Sequence, residues 1–334
     1  MSSSKPSDHS DHSDGSDRSA RRTGLLATAL LVALTAVWGS TFFLIRDLVR
    51  TVPPLDFLAI RFTLAAVLMV GIFWRPLRAL GRREWVLGAA LGLLYGVAQI
   101  LQTIGLSQTD ASVSGFITGL YVVLTPLISA LILRERATRV TWCAVLLSTA
   151  GLAVLSLNGV RIGVGEALTL GCAVIYALHI IGLGRWSSTA HATGMSAVQM
   201  IVIAVVCCVG AIPDGITWPQ GTAQWASVVY MATAAGVLAL WAQTWAQARL
   251  TATRAAIVMT LEPVFAAFFA VLLGGESFTA RMLVGGVLVV AAMYVVELGG
   301  RTWRGTFNGS NAARGSYRTD GSDVPVESRH HEVG

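Results

Sequence analysis

A chain of 334 residues that is 54% hydrophobic and only 13% charged, with mean hydropathy +0.66, is far from a soluble domain, where roughly a quarter of residues carry charge. Eight of its 18 acidic residues lie at the two ends, in residues 1–23 and 299–334, so long interior stretches hold none. This excludes disorder along the whole chain and argues against a soluble enzyme. Length is better counted in membrane crossings, each needing roughly 20 apolar residues for a core about 30 Å thick.

The net charge of +6 comes from 23 arginines and one lysine. These sit in short clusters between apolar segments and not in one basic patch, so nucleic acid is not an expected partner. Cys143, Cys172, Cys207 and Cys208 fall inside apolar runs. Without the paired spacing of a zinc site or a disulfide framework, they read as small core residues.

In chain order, residues 1–23 are rich in Ser, Asp and His, too polar to offset the entropy of ordering, and are expected to be a disordered cytoplasmic tail. His9 and His12 lack a scaffold and read as solvated. The following apolar run starts late and is long enough to span, unlike the short core of a cleavable signal peptide. Ten spanning helices are predicted at 24–45, 57–74, 85–106, 110–133, 140–157, 164–183, 195–212, 225–248, 252–273 and 280–298. Lipid offers no hydrogen bonds, which makes each span helical. Residues 299–334 read as a second disordered cytoplasmic tail. The fold class is therefore an all-α membrane protein.

An even count places both ends on one side. With the N-terminus cytoplasmic, 19 basic residues fall in inside segments and four in outside loops, with Arg61 inside a span. The positive-inside rule then puts both termini in the cytoplasm, in the cytoplasmic membrane.

A shift of 141 residues aligns 102–156 with 243–297 without a gap. Gln102-Thr103 falls on Gln243-Thr244, Leu120 on Leu261 and Glu135 on Glu276. A shift of 138 places Trp38 over Tyr176 and Arg61 over Gln199. The chain thus reads as two five-helix repeats, 24–157 and 158–298. Because five is odd, the second enters the membrane inverted, an arrangement found in secondary transporters with a site near the midplane.

The sequence Trp38-Gly39-Ser40-Thr41-Phe42, Arg61-Phe62, the Ala-Ser-Val-Ser-Gly-Phe at 111–116 and Leu-Arg-Glu-Arg at 133–136 resemble the first half of an EamA-type transporter of the drug/metabolite superfamily. Leu-Glu-Pro-Val at 261–264 and Gly-Gly-Glu-Ser at 274–277 resemble the second half. The resemblance covers residues 24–298. It implies a ten-helix bundle that moves small metabolites by alternating access. Pro126 stands four residues later than the position equivalent to Pro263, from which the two halves are expected to bend differently.

Ionisable groups within spans are expensive and therefore informative. Glu262 lies ten residues into the ninth span, about 15 Å from its start and near the midplane. Pro263 removes a backbone donor beside it. The carboxyl is a candidate partner for a substrate amine or a proton carrier; the alternative is a protonated group bonded to a neighbouring helix. Arg61 either snorkels to the outer interface or points inward to an anion or to Glu262. His179 reads as a satisfied structural histidine. Trp38, Tyr95, Gln99, Gln102, Tyr121, Tyr176, Trp241, Gln243 and Trp245 are candidate solute contacts, offering aromatic faces and two-way amides. The alternative for the amides is interhelical bonding and for the tryptophans an interface belt. Gly88-Gly92-Gly96 and Gly115-Gly119 read as close helix packing. Glu135 and Glu276 read as helix-end charges.

No P-loop is present, so ATP drive would need another chain. Neither a cofactor nor a metal is expected, and no nucleophile motif points to catalysis. The expected function is secondary transport of a small-molecule solute, metabolite or drug, across the bilayer, proton-coupled or by exchange, as a monomer or homodimer. The alternative is a membrane-embedded enzyme acting on a lipid.

Overall fold

The structure is a computed structural model and describes residues 11–109, 111–133, 139–156, 163–211, 215–273, 278–281, 283–288, 290–292 and 294–295. Among these residues there is no strand. The helices are α1 (Asp11–Gly39), α2 (Thr41–Leu48), α3 (Pro54–Arg78), α4 (Arg82–Leu106), α5 (Ala111–Gly119), α6 (Tyr121–Leu133), α7 (Arg139–Ser156), α8 (Val164–Trp186), α9 (Ala192–Ala211) and α10 (Gly221–Ala232). A π-helical segment, Thr233–Leu238, joins α10 to α11 (Ala239–Gln247), and α12 (Ala252–Met259) and α13 (Leu261–Leu272) follow.

Seven helices are long and apolar enough to cross a membrane: Arg22–Leu48, Pro54–Arg78, Arg82–Leu106, Val164–Trp186, Ala192–Ala211, Gly221–Gln247 and Ala252–Phe269. Shorter apolar helices at Ile117–Ile132, Trp142–Gly151 and Leu283–Ala292 occupy the positions of the predicted fourth, fifth and tenth spans. Apolar side chains such as Val67, Leu131 and Leu146 stay more than 60% exposed, as expected where lipid, not water, is the surrounding medium.

Two differences from the sequence expectations stand out. Helix α1 begins at Asp11, inside the tail expected to be disordered. Once a long helix is nucleated, each further residue adds a hydrogen bond at little cost. Residues 1–10 and 299–334 lie outside the described residues, as do Glu135 and Glu276. Cys143 is exposed, not core, whereas Cys172 and Cys207 are buried.

Helix ends follow local chemistry. Pro54 opens α3, where a missing N–H does no harm. Asp56 in its first turn accepts the backbone N–H of Thr217 at 2.9 Å, tying the loop before α10 to α3. Glu166 closes the start of α8 by accepting the N–H of Gly163 and the hydroxyl of Thr109, both at 2.8 Å.

Glycines let helices approach. A Cβ on Gly92 would lie 2.7 Å from the Gln199 carbonyl oxygen, and one on Gly88 3.0 Å from Val198. This is the close α4–α9 packing the spacing predicts. Gly115 makes only ordinary contact with the Phe42 ring. The buried core has one large cluster around Phe57, Phe62, Met200 and Ile203, another around Leu31, Ile180, Ile257 and Met259, and a small third of Leu91, Leu183 and Met195. Tyr176 and Trp241 pack against the first two.

Candidate functional site

The predicted first, fourth and ninth spans are each interrupted, at Ser40, Leu120 and Thr260. At the last two breaks the chain tightens to i−3 bonds, Leu120 N–H to the Ile117 carbonyl and Thr260 N–H to the Ile257 carbonyl. The break at Thr260 has a clear cause. Starting a new helix at Leu261 puts Pro263 in its first turn, where no intrahelical donor is required. Pro126 stands inside α6 instead. Yet the two breaks fall within one residue of equivalent positions under the 141-residue shift.

These interrupted helices border a narrow cavity of about 40 Å³. It brings together nine of the eleven predicted site residues: Trp38, Arg61, Tyr95, Gln99, Gln102, Tyr121, Tyr176, Gln243 and Glu262. Trp241 and Trp245 do not line it. Each lies two residues from Gln243, about 200° around the helix. Trp241 stacks on Phe73 with ring centres 6.3 Å apart and donates to Thr193 Oγ1 at 3.2 Å, and Trp245 carries the Arg249 guanidinium 3.8 Å from its ring centre.

One wall is a chain of amides and hydroxyls. Gln99 donates to the Tyr176 hydroxyl, which donates to Gln102 Oε1 at 3.1 Å, and Gln102 Nε2 donates to Thr118 Oγ1 at 3.3 Å. Such a chain fixes the faces of Gln99 and Gln102 and leaves the aromatic rings of Tyr95 and Tyr176, in edge contact at 5.5 Å, to shape the volume.

Arg61 is 2% exposed and does not snorkel. Its Nε donates to the Met231 carbonyl at 3.3 Å, and its guanidinium lies 4.8 Å from the Phe62 ring centre and 5.8 Å from that of Phe57. Trp38 Nε1 donates to the Ala235 carbonyl at 3.0 Å, within the π-helical segment. Glu262 is buried and faces Tyr121, whose hydroxyl donates to the Met259 carbonyl at 2.9 Å and lies 3.5 Å from Glu262 Oε2.

The Met259 carbonyl is the acceptor that a backbone N–H at position 263 would have served, and proline has none. Tyr121 therefore fills the gap left by Pro263. Tyr121→Phe should leave this buried acceptor unsatisfied, costing roughly 1–3 kcal/mol. A thermal-unfolding midpoint in detergent equal to that of the unmodified protein would refute the role.

Thr41, Phe42, Ile45, Thr103, Leu106, Thr118, Ile180 and Met259 also line the cavity and were not singled out from sequence. The repeat could have found several. Trp38 and Tyr176, and Phe42 and Ile180, are related by 138 residues. Gln102 and Gln243, Thr118 and Met259, and Tyr121 and Glu262 are related by 141. Thr41 and Ile45 follow Trp38 at helical spacing. His179 lies outside the cavity, fully buried, with Nε2 2.9 Å from Gln199 Oε1 and its ring edge-on to Tyr95. Gln199 in turn donates to Thr244, and Gln247 to the Ile180 carbonyl at 3.1 Å. Among the described residues no group of three or more His, Cys, Asp or Glu side chains could hold a metal ion. The arrangement suits reversible recognition of a small solute by one cation, one carboxyl, amides and rings.

The model of the EamA-like transporter family matches the chain twice, over residues 25–157 and 163–298. The chain belongs to this family of membrane transporters and has its two-repeat organisation. It is 29% identical over 269 residues to an uncharacterised transporter of Archaeoglobus fulgidus, covering 80% of this chain and 84% of that protein. It is 26% identical over 277 residues to the uncharacterised inner membrane transporter YedA of Escherichia coli K12, covering 80% and 90%. A probable amino-acid metabolite efflux pump of Salmonella typhimurium is 26% identical over 307 residues, covering 85% and 98%. A solved crystal structure shares the fold at 20% identity with a TM-score of 0.69, covering 83% of this chain and 97% of that one.

Proposed function

We propose that this protein is a secondary transporter of small organic metabolites or drugs, in which two inverted five-helix repeats rock against each other across the cytoplasmic membrane. The observation that carries this reading is the cavity itself, because five pairs of its lining residues are related by the repeat shifts. Tyr121 and Glu262 are one such pair and meet each other. A site built from equivalent positions of two halves that cross the membrane in opposite senses belongs to alternating access near the midplane.

With ten spans and the arginine-rich segments inside, both termini are cytoplasmic. The cavity then runs from the midplane toward the outer ends of α2 and α4, where Ile45 and Leu106 line it. Buried bonds of His179 with Gln199, of Gln199 with Thr244 and of Gln247 with the Ile180 carbonyl lie on the cytoplasmic side and close it there. On this reading the cavity faces the outside. Glu262 serves as the proton carrier when transport is proton-coupled, and a solute exchanger that leaves it unchanged is the rival mechanism. The relative named as an amino-acid metabolite efflux pump is in keeping with a metabolite solute.

The test compares metabolites in medium and cytoplasm with and without the protein, then follows the compounds that differ in sealed proteoliposomes. Protein-dependent flux of an unaltered compound is the expected result. Covalent conversion without flux overturns the reading in favour of a membrane-embedded enzyme.

A further inference from the structure

Arg61 is a buried cation with an incomplete set of partners. A guanidinium has five N–H donors, and one of them, on Nε, is used by the Met231 carbonyl. Among the described residues its terminal nitrogens make no hydrogen bond, and Arg61 lines the cavity. The rings of Phe57 and Phe62 stabilise the charge in part. Among the described residues no carboxylate pairs with Arg61. Asp56, on the same helix, is occupied by the Thr217 N–H, and Glu262 is directed at Tyr121. A charge taken out of water without a counter-charge is costly and persists where function requires it.

We propose that the terminal nitrogens of Arg61 form a carboxylate subsite, so that the transported solute carries a carboxylate and binds it in a two-point fork while the rest of the molecule lies against Trp38, Phe42 and Tyr176. This inference rests on the transport reading and deepens it. The planar fork matches the two oxygens of a carboxylate. Among the described lining residues Arg61 is the one cation, which balances a single negative charge. A phosphate carrying close to two charges would leave an excess beside Glu262, with no second cation to receive it. The Met231 carbonyl and the two phenylalanine rings hold the guanidinium ready, so little ordering is needed on binding.

The probe is a total extract of small cytoplasmic metabolites loaded into proteoliposomes, with release followed by mass spectrometry against protein-free vesicles. The compounds released by the unmodified protein are expected to be carboxylates. Their release should fall by about tenfold or more in Arg61→Gln, with part of it retained in Arg61→Lys, which keeps the charge and loses the fork. Release of compounds without a carboxylate, or of phosphate esters alone, overturns the proposal while leaving the transport reading intact. Equal release of carboxylates by Arg61→Gln does the same. If no compound leaves, the transport reading fails and this one with it. Should Arg61→Gln not yield a monodisperse protein, the unmodified protein is tested with the released compounds and their carboxamides. The carboxamides should leave about tenfold more slowly, and equal rates refute the subsite.

Discussion

Replacing Glu262 with glutamine should reduce solute movement driven by an imposed pH gradient to the level of protein-free vesicles, while solute-for-solute counterflow continues. Glutamine keeps the size of the side chain and an oxygen able to face the Tyr121 hydroxyl 3.5 Å away, so the break at Thr260 and the cavity wall should survive. What it removes is the ability to take up and release a proton. The carboxyl suits that task by position: it is 8% exposed, lies on the cavity and sits in the first turn of α13 directly after a helix break. A segment that restarts there can move relative to α12 without breaking an intact ladder of hydrogen bonds. Gradient-driven uptake by Glu262→Gln equal to the unmodified protein would exclude Glu262 as the carrier and favour exchange.

Gly39→Ala should be among the most damaging single methyls added to the bundle. A Cβ there would lie 2.6 Å from Phe265 Cβ, 2.8 Å from the Ala266 backbone nitrogen and 2.9 Å from the Glu262 carbonyl oxygen. Two of these are backbone atoms of α13 and cannot rotate away, so α1 and α13 must separate, and overpacking of this kind costs roughly 1–3 kcal/mol or more. The same shift would move Trp38 and Glu262, both of which line the cavity. We expect a lower unfolding temperature together with loss of transport. Gly71→Ala is the control: a Cβ there meets nothing within 4 Å, and alanine is the better helix former by about 1 kcal/mol. Equal stability of the two variants would refute the close α1–α13 contact.

Much of the site was legible before any coordinates because the repeat is written in the residues. Gln102 and Gln243, or Trp38 and Tyr176, can be paired by counting, and an acid or a base inside an apolar span announces itself by its cost. Three matters were not legible in this way. A single-helix reading could not decide whether Arg61 pointed outward or inward, since its long stem allows both; the Phe57 and Phe62 rings and the Met231 carbonyl decide it. Trp241 and Trp245 share a helix with Gln243 and have suitable chemistry, yet they face Phe73 and Arg249. The partner of the carbonyl freed by Pro263 comes from Tyr121, far away in the chain.

The sequence by itself determined that the chain is a helical membrane protein of two related halves with a carboxyl and a guanidinium inside spans. Those conclusions depend on composition, period and the energy of moving a charge out of water, which are local properties of each segment. The tertiary structure alone decided which faces of the helices converge, that equivalent helices break at nearly equivalent positions, and that Arg61, with unused donors, lines a shared cavity. Those outcomes depend on contacts between segments well over a hundred residues apart, for which no single helix carries the information.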